Sequence, residues 1–295
     1  MKQNSEKKVA ARLSIASNCL IIIFKLTAGI ISGSISIISE AIHSMSDFLA
    51  SVLTYFAIMR SSEPADKDHP FGHGKYEDMA GFIEGVLIIS ASFYIIWEAC
   101  KKIIENNSSE FDSTLGIVVM AIAIVLNLVV SSYLLYVSKK TDSTALKADA
   151  KHLSTDVLSS FGVLIGLVLI KITGISLLDP LIAIFVALII LKSGFSITKE
   201  TLNNLVDGTL PDDDIKKIEE ILKNCTEIKG YKNFKSRKTG PNRDIDVTLL
   251  CDGDISLISC HKICDSIETK IKSIFPNTLI TIHCEPFLEK QPTLY

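Results

Sequence analysis

The chain has 295 residues, 48% of them hydrophobic and 21% charged, and a mean hydropathy of +0.37. Its formal net charge is −3 with no basic stripe, which argues against a nucleic-acid binder. The apolar residues are clumped into long runs, so a wholly soluble protein and a secreted disulfide-rich domain are both excluded.

A short basic lead with Lys2, Lys7, Lys8 and Arg12 runs into the first apolar segment, with no small-residue cleavage site after a short apolar core. A removable signal peptide is therefore not expected. Apolar runs follow at Leu13–Ile31, Ala41–Met59, Phe82–Ile96, Leu115–Val137, Val157–Ile175 and Leu181–Phe195. A helix needs roughly 20 such residues to cross a hydrocarbon core of about 30 Å, and all six meet that length with modest polar extensions. The first connection, around Ser32–Ser34, is short enough to make spans one and two a tight hairpin. Lysine and arginine cluster in the lead, in the second connection (Arg60, Lys67, Lys75) and in the fourth (Lys139, Lys140, Lys147). That bias puts both termini in the cytoplasm, against only Lys101, Lys102 and Lys171 on the other side.

The sequence changes character after Gly208, where Pro211 and the acidic run Asp212–Asp214 mark a boundary. Residues 1–208 are expected to form the six-span membrane domain and 209–295 a small cytoplasmic α+β domain. The expected order there is a helix at Asp212–Lys223, a strand at Ile228–Lys238, a turn at Thr239–Asn242, a strand at Ile245–Cys251, a helix at Leu257–Ile274 and a strand at Thr278–Cys284. Seven cysteines (Cys19, Cys100, Cys225, Cys251, Cys260, Cys264, Cys284) include no CxxC pair, and five lie in this tail, as reduced thiols of a cytoplasmic domain. Cys251, Cys260 and Cys264 read as small core residues.

Two of the spans repeat one pattern. Span two carries Glu40, His43 and Asp47, and span five carries Asp149, His152 and Asp156, both as acid-x-x-His-x-x-x-Asp and about 109 residues apart. Spacings of three and four put each triplet on one helix face. A charged side chain at the centre of a membrane helix costs roughly 2.5–3.5 kcal/mol on insertion scales. Two such faces in matching arrangement need compensation, beyond the interhelical hydrogen bonding that one pair would explain. If the faces meet, His43, Asp47, His152 and Asp156 offer two imidazoles and two carboxylates to a divalent cation. That set suits tetrahedral Zn²⁺ and tolerates Co²⁺ or Cd²⁺. Glu40 and Asp149 are surplus to four ligands and belong to the aqueous approach or to the side chains that support the ligands. Metal binding to neutral His and ionised Asp expels protons, so a site open alternately to each side would exchange metal for protons. No Walker A loop or phosphorylated-aspartate loop is recognisable, which argues against ATP-driven pumping.

At these residues the chain resembles the cation diffusion facilitator family of metal/proton antiporters, from about residue 10 to 288. A third marker, Asp-Lys-Asp-His-Pro-Phe-Gly-His-Gly-Lys at Asp66–Lys75, is similar to the family's loop after span two. The resemblance implies transport-site ligands at His43, Asp47, His152 and Asp156, closest to the zinc-type bacterial members. It further implies a multi-pass plasma-membrane homodimer with alternating access that exports Zn²⁺ from the cytoplasm, and no organic cofactor. The tail resembles the family's metallochaperone-like, ferredoxin-like α+β domain, which helps hold the dimer. Asp66, His69 and His73 match positions that bind a loop metal in some members, although Pro70 and the glycines favour a turn over a helix there. Lys75 and Asp207 match a charge cluster at the junction of membrane domain and tail. In the tail only His261, His283 and Glu285 stand at metal-binding positions, while Lys232 and Thr248 replace histidines. A reduced regulatory site rather than a metal pair is expected there.

The six histidines fall two by two in these three places. The alternative readings are a membrane-embedded metalloenzyme using the same His/Asp site, a metal sensor, and an exporter of Fe²⁺, Mn²⁺, Co²⁺ or Cd²⁺ in place of Zn²⁺. Hydrolytic zinc sites keep three protein ligands plus water with an acid nearby, a role open to Glu40 or Asp149.

Overall fold

The computed structural model describes residues 2–32, 35–105, 114–173 and 178–288. Six long helices come first: α1 (Lys2–Ser32), α2 (Ile35–Ser61), α3 (Lys75–Glu105), α4 (Thr114–Thr141), α5 (Thr144–Thr173) and α6 (Leu178–Leu205). Each is longer than its apolar run, because polar residues with good helix propensity continue it, as from Lys2 to Arg12 in α1 and from Thr144 to Asp156 in α5. Among the described residues four of them are, over Asn4–Ala28, Lys75–Lys101, Ala121–Thr141 and Pro180–Leu205, long and apolar enough to cross a membrane. The other two, α2 and α5, carry the repeated acid-x-x-His-x-x-x-Asp pattern.

Burial in this unit is inverted relative to a soluble domain. Ile23, Leu49, Phe56, Phe93, Val125, Leu128, Phe185 and Leu188 point outward, while Asn18, Lys25, Ser51, Thr54, Glu77, Glu84 and Asp149 are buried. An apolar girdle around an interior that mixes buried polar groups with packed apolar side chains such as Ile58, Leu134 and Ile190 is an arrangement a bilayer permits. Trp97 and Tyr94 are exposed near the end of α3, and the Lys101 ammonium lies 5.7 Å from the Trp97 ring centre, as at a membrane interface. Helices α1 and α2 lie antiparallel, held by Ser14–Ser51 at 2.9 Å and Lys25–Ser44 at 2.9 Å. Small residues bring α3 and α6 together. A Cβ built on Gly85 would sit 2.4 Å from Thr198 Oγ1 and 3.0 Å from its backbone nitrogen, so the close approach requires glycine.

The sequence had marked Lys7 only as a cytoplasmic charge, yet its ammonium is buried 2.6 Å from Glu77 Oε1. Glu77 also accepts from Ser61 at 2.8 Å and from the Ser143 hydroxyl, which ties α1, α2, α3 and the α4–α5 turn into one knot.

The chain divides into two units between Leu202 and Asn203. The second holds α7 (Asp212–Lys223), β1 (Gly230–Thr239), β2 (Asn242–Cys251), α8 (Leu257–Ile274) and β3 (Thr278–Pro286). Three acids in its first turn favour α7 just after Pro211. The Ser256 hydroxyl caps α8 by accepting from the Ser259 amide at 3.2 Å. Strands β1 and β2 form an antiparallel hairpin closed by Gly240 and Pro241, with Gly240 at φ +59°. Strand β3 pairs in parallel with β2 through the α8 crossover, giving the order β1-β2-β3. The α+β unit read from the sequence is thus present, and Asn233 at φ +53° marks a bulge between Lys232 and Lys235. Ile245, Val247, Leu249 and Cys251 alternate inward from β2 against Ile263, Ile267 and Ile271 of α8. Burial raises the Cys264 thiol to about 12 and lifts Cys251 and Cys284 in the same direction, so these thiols sit neutral in or beside the core.

Candidate metal site in the membrane unit

Helices α2 and α5 meet along their polar faces. Asp149 faces Ser51 at 3.2 Å, and one turn further along α5 the His152 Nε2 lies 3.2 Å from Asp47 Oδ1. Moving down α2 while moving up α5 is the antiparallel register the two motifs need. Asp47, His152 and Asp156 each offer a ligand atom, and these atoms all lie within 4.8 Å of one another. A tetrahedral ion with bonds of about 2.0–2.2 Å places its ligand atoms roughly 3.4 Å apart. The His152–Asp47 pair already has that separation, and Asp156 is within about an ångström and a half of it. Asp47 is 7% exposed and His152 8%, and His152 Nδ1 has no hydrogen-bond partner among the described residues. The side chains of His43 and Glu40 lie outside the described residues.

The cluster rests on a buried polar network. Asn18 donates to Ser51 Oγ at 2.7 Å and towards the Asp47 carbonyl at 3.4 Å, and Ser14 and Asp149 meet the same Ser51 hydroxyl. Asp149 is fully buried, one turn from His152, and lies beside the three-ligand cluster rather than in it. Glu84 of α3 is also fully buried, against the Thr54 hydroxyl. An acid in the middle of an apolar run is the one signal the sequence offers for it.

The loop between α2 and α3 forms a second cluster. Asp66 Oδ1 takes the backbone amides of Asp68 and His69 at 3.0 and 2.6 Å, an Asx turn that swings both imidazoles towards its carboxylate. The distances are 3.3 Å from Asp66 to His69 Nδ1 and 3.4 Å to His73 Nε2, with the two rings 4.4 Å apart. Gly72 at φ +83° supplies the backbone angle that brings His73 round, so a turn achieves what a helical i, i+4 pair would have done. His73 is buried and its ring nitrogens lack a well-formed hydrogen bond among the described residues. The backbone amide of His69 holds the Asp66 carboxyl below its ordinary value, ready as a ligand.

The remaining site residues fall in other elements. Lys75 opens α3 in the first unit. Asp207, in the second, lies 3.4 Å from Arg237. His261 is exposed on α8, 3.7 Å from Asp265, and His283 is exposed on β3, 3.6 Å from Glu285. Because His283 alternates with Ile282 and Cys284, it faces away from the surface that α8 covers. Glu285 is engaged by Lys232 at 2.7 Å, which holds its carboxyl below the usual range. These three residues form no cluster within the chain among the described residues.

Residues 11–206 match the cation efflux transmembrane domain, and residues 210–287 match the cation efflux protein cytoplasmic domain. Protein p34 of Rickettsia prowazekii is 34% identical over 280 residues, covering 95% of this chain and 92% of that protein. The cation-efflux pump FieF of Shewanella oneidensis is 32% identical over 286 residues, covering 97% and 96%. Among solved structures, the Zn form of CzrB, described as a candidate zinc transporter, is 27% identical with a TM-score of 0.27, covering 28% of this chain and 97% of that one.

Proposed function

Because the chain belongs to the cation efflux family, and is therefore a multi-pass carrier of metal cations with a cytoplasmic C-terminal domain, we propose that its cargo is Zn²⁺ and its counter-ion the proton. It is a transporter rather than an enzyme, which sets aside the hydrolytic reading of the same ligands. The observation that carries the proposal is the convergence of Asp47, His152 and Asp156 from two facing helices inside the membrane unit. With His43 as the fourth ligand, two imidazoles and two carboxylates form a borderline N/O set that favours Zn²⁺ over harder Mn²⁺ or Mg²⁺.

The coupling follows from the same atoms. Metal enters as the carboxylates stay ionised and the imidazoles lose their protons, and protons arriving from the opposite side help expel it. The Asn18–Ser51–Asp149 network beneath the site keeps Asp47 and His152 oriented while the cargo changes. Residues 1–208 form the transport domain in this reading, and 209–295 the domain through which two chains pair. In this reading both termini lie in the cytoplasm and the protein spans the plasma membrane, which the Lys and Arg bias supports. Asp66, His69 and His73 hold a loop ion at the end of the bundle where α2 gives way to α3, and a regulatory ion at His261, His283 and Glu285 would need ligands from a second chain.

The test is uptake by proteoliposomes under an imposed pH gradient, with a metal dye and a pH dye read together. Zn²⁺ entry matched by opposing proton movement is expected. Flux of Fe²⁺ or Mn²⁺ without Zn²⁺ would leave the family intact and overturn the cargo, while Zn²⁺ flux with no proton movement would overturn the coupling.

A further inference from the structure

Four of the seven cysteines meet at one place in the cytoplasmic unit. Cys251 ends β2 and Cys284 lies near the end of the parallel strand β3, where Leu249 pairs with Cys284 and Cys251 with Pro286. The two thiols are thus diagonal neighbours on the sheet face that α8 covers. Cys260 and Cys264 stand on the first two turns of α8, four residues apart and on one side of the helix. The sulfur of Cys260 lies 3.9 Å from that of Cys251, and the sulfur of Cys264 3.3 Å from that of Cys284. Cys251, Cys260 and Cys284 all lie within 4.8 Å of one another.

We propose that Cys251, Cys260, Cys264 and Cys284 form a four-thiolate site for one d¹⁰ divalent cation of the Zn²⁺/Cd²⁺ class, independent of the membrane site and of the histidines of the tail. Zinc–sulfur bonds of about 2.3 Å in a tetrahedron set the sulfurs about 3.8 Å apart; the Cys260–Cys251 and Cys264–Cys284 separations of 3.9 and 3.3 Å lie near that edge, and Cys264, beside Cys284 but outside the group of three, closes in as the fourth ligand when the ion binds. Sulfur-only donors select thiophilic cations over the hard ones. Packing alone gives a weaker account, since the rest of this core is mostly Ile, Val and Leu, with Tyr231, Phe275 and Cys225, and nothing in apolar packing requires four sulfurs from three elements to converge. Burial also grades the site: Cys251 and Cys260 are buried at the floor, and Cys264 and Cys284 are partly exposed at the rim, where an ion would arrive. Once bound, the ion would pin the start of α8 to the ends of β2 and β3, stabilising the cytoplasmic unit in proportion to metal activity. A membrane carrier would thereby gain a sensor of the same metal class on its cytoplasmic side.

The experiment uses full-length reduced protein carrying Asp47→Ala and Asp156→Ala, so that the membrane site does not compete. Titration with Co²⁺ and Cd²⁺ reads the thiolate-to-metal charge-transfer band, which imidazole and carboxylate ligands do not produce. One Co²⁺ per chain with that band is expected, with the affinity falling tenfold or more in Cys264→Ser and in Cys284→Ser. No band in protein whose four thiols alkylate freely after metal removal would overturn the proposal, as would a band unchanged in both variants. If the serine variants fail to fold, X-ray absorption of the Cys-intact protein at one Cd²⁺ per chain decides. Three or four sulfur neighbours support the site, and a shell of nitrogen and oxygen alone excludes it.

Discussion

Replacing Lys7 by Met strands the Glu77 carboxylate at one end of the bundle. The ammonium is 3% exposed and the glutamate fully buried, and the ion pair at 2.6 Å is supplemented by hydroxyls of Ser61 and Ser143. Removing one partner of a buried pair costs about 3–5 kcal/mol, because the remaining charge loses its compensation without regaining water. At 1.4 kcal/mol per tenfold, that is a shift of more than a hundredfold in the unfolding equilibrium. Glu77→Gln alone leaves Lys7 buried and uncompensated and is expected to cost a similar amount. The double variant Lys7→Met/Glu77→Gln removes both charges but keeps an acceptor for the two serines, so it should lose less than either single change. Equilibrium unfolding in mixed micelles with rising SDS fraction gives the three free energies and hence the coupling, expected at about 2 kcal/mol or more. A Lys7→Met cost below about 1 kcal/mol, or additive single effects, would refute the buried-knot reasoning.

Three further outcomes follow from other contacts. Gly85→Ala puts a methyl group against Thr198 Oγ1 and backbone, so α3 and α6 must separate, at about 1–3 kcal/mol in the same unfolding assay; an unchanged stability would mean that the helices do not pack there. His73→Ala should lower bound Zn²⁺ by one ion per chain, measured by elemental analysis after dialysis, while Zn²⁺ flux persists. Lys232→Ala should raise the Glu285 carboxyl pKa towards its ordinary value in an NMR titration of labelled glutamate. Because Lys232 depresses that value, the pair's small contribution is present above the ordinary glutamate pKa and is lost as pH falls through the depressed one.

Much of the architecture was legible in the sequence because its signals are local. Apolar runs located the long helices, and the helix ends were underestimated only where polar residues carry the helix beyond the hydrocarbon layer, as from Lys2 to Arg12. Helices α7 and α8 were readable from Pro211 with its acidic run and from their apolar periodicity, and the hairpin from Thr239 to Asn242 by its Gly-Pro pair. The facing of Asp47 and His152 followed from duplicated spacing. Long-range pairings carry no such signal. Lys7 and Glu77 are 70 residues apart, and Lys7 read as a topology charge until its partner was seen. Of the three cysteines read as core residues, Cys251 and Cys260 are buried and Cys264 is packed against the core and partly exposed, and their spacing gave no hint that a parallel strand pair and one helix bring four sulfurs together. In the loop, Pro70 and Gly72 signalled a turn, and only the Asx turn on Asp66 shows how that turn gathers two histidines.

In the proposed carrier, Asp47, His152 and Asp156 hold the metal in transit. That role is tested most directly by Zn²⁺ flux into proteoliposomes for wild type, His152→Ala, Asp156→Ala and the loop variant His69→Ala, at equal reconstituted protein. Flux should be lost in the two membrane-site variants and retained in the loop variant. Wild-type flux in Asp156→Ala would contradict it, because a carrier that works without that carboxylate does not hold its cargo where α2 meets α5.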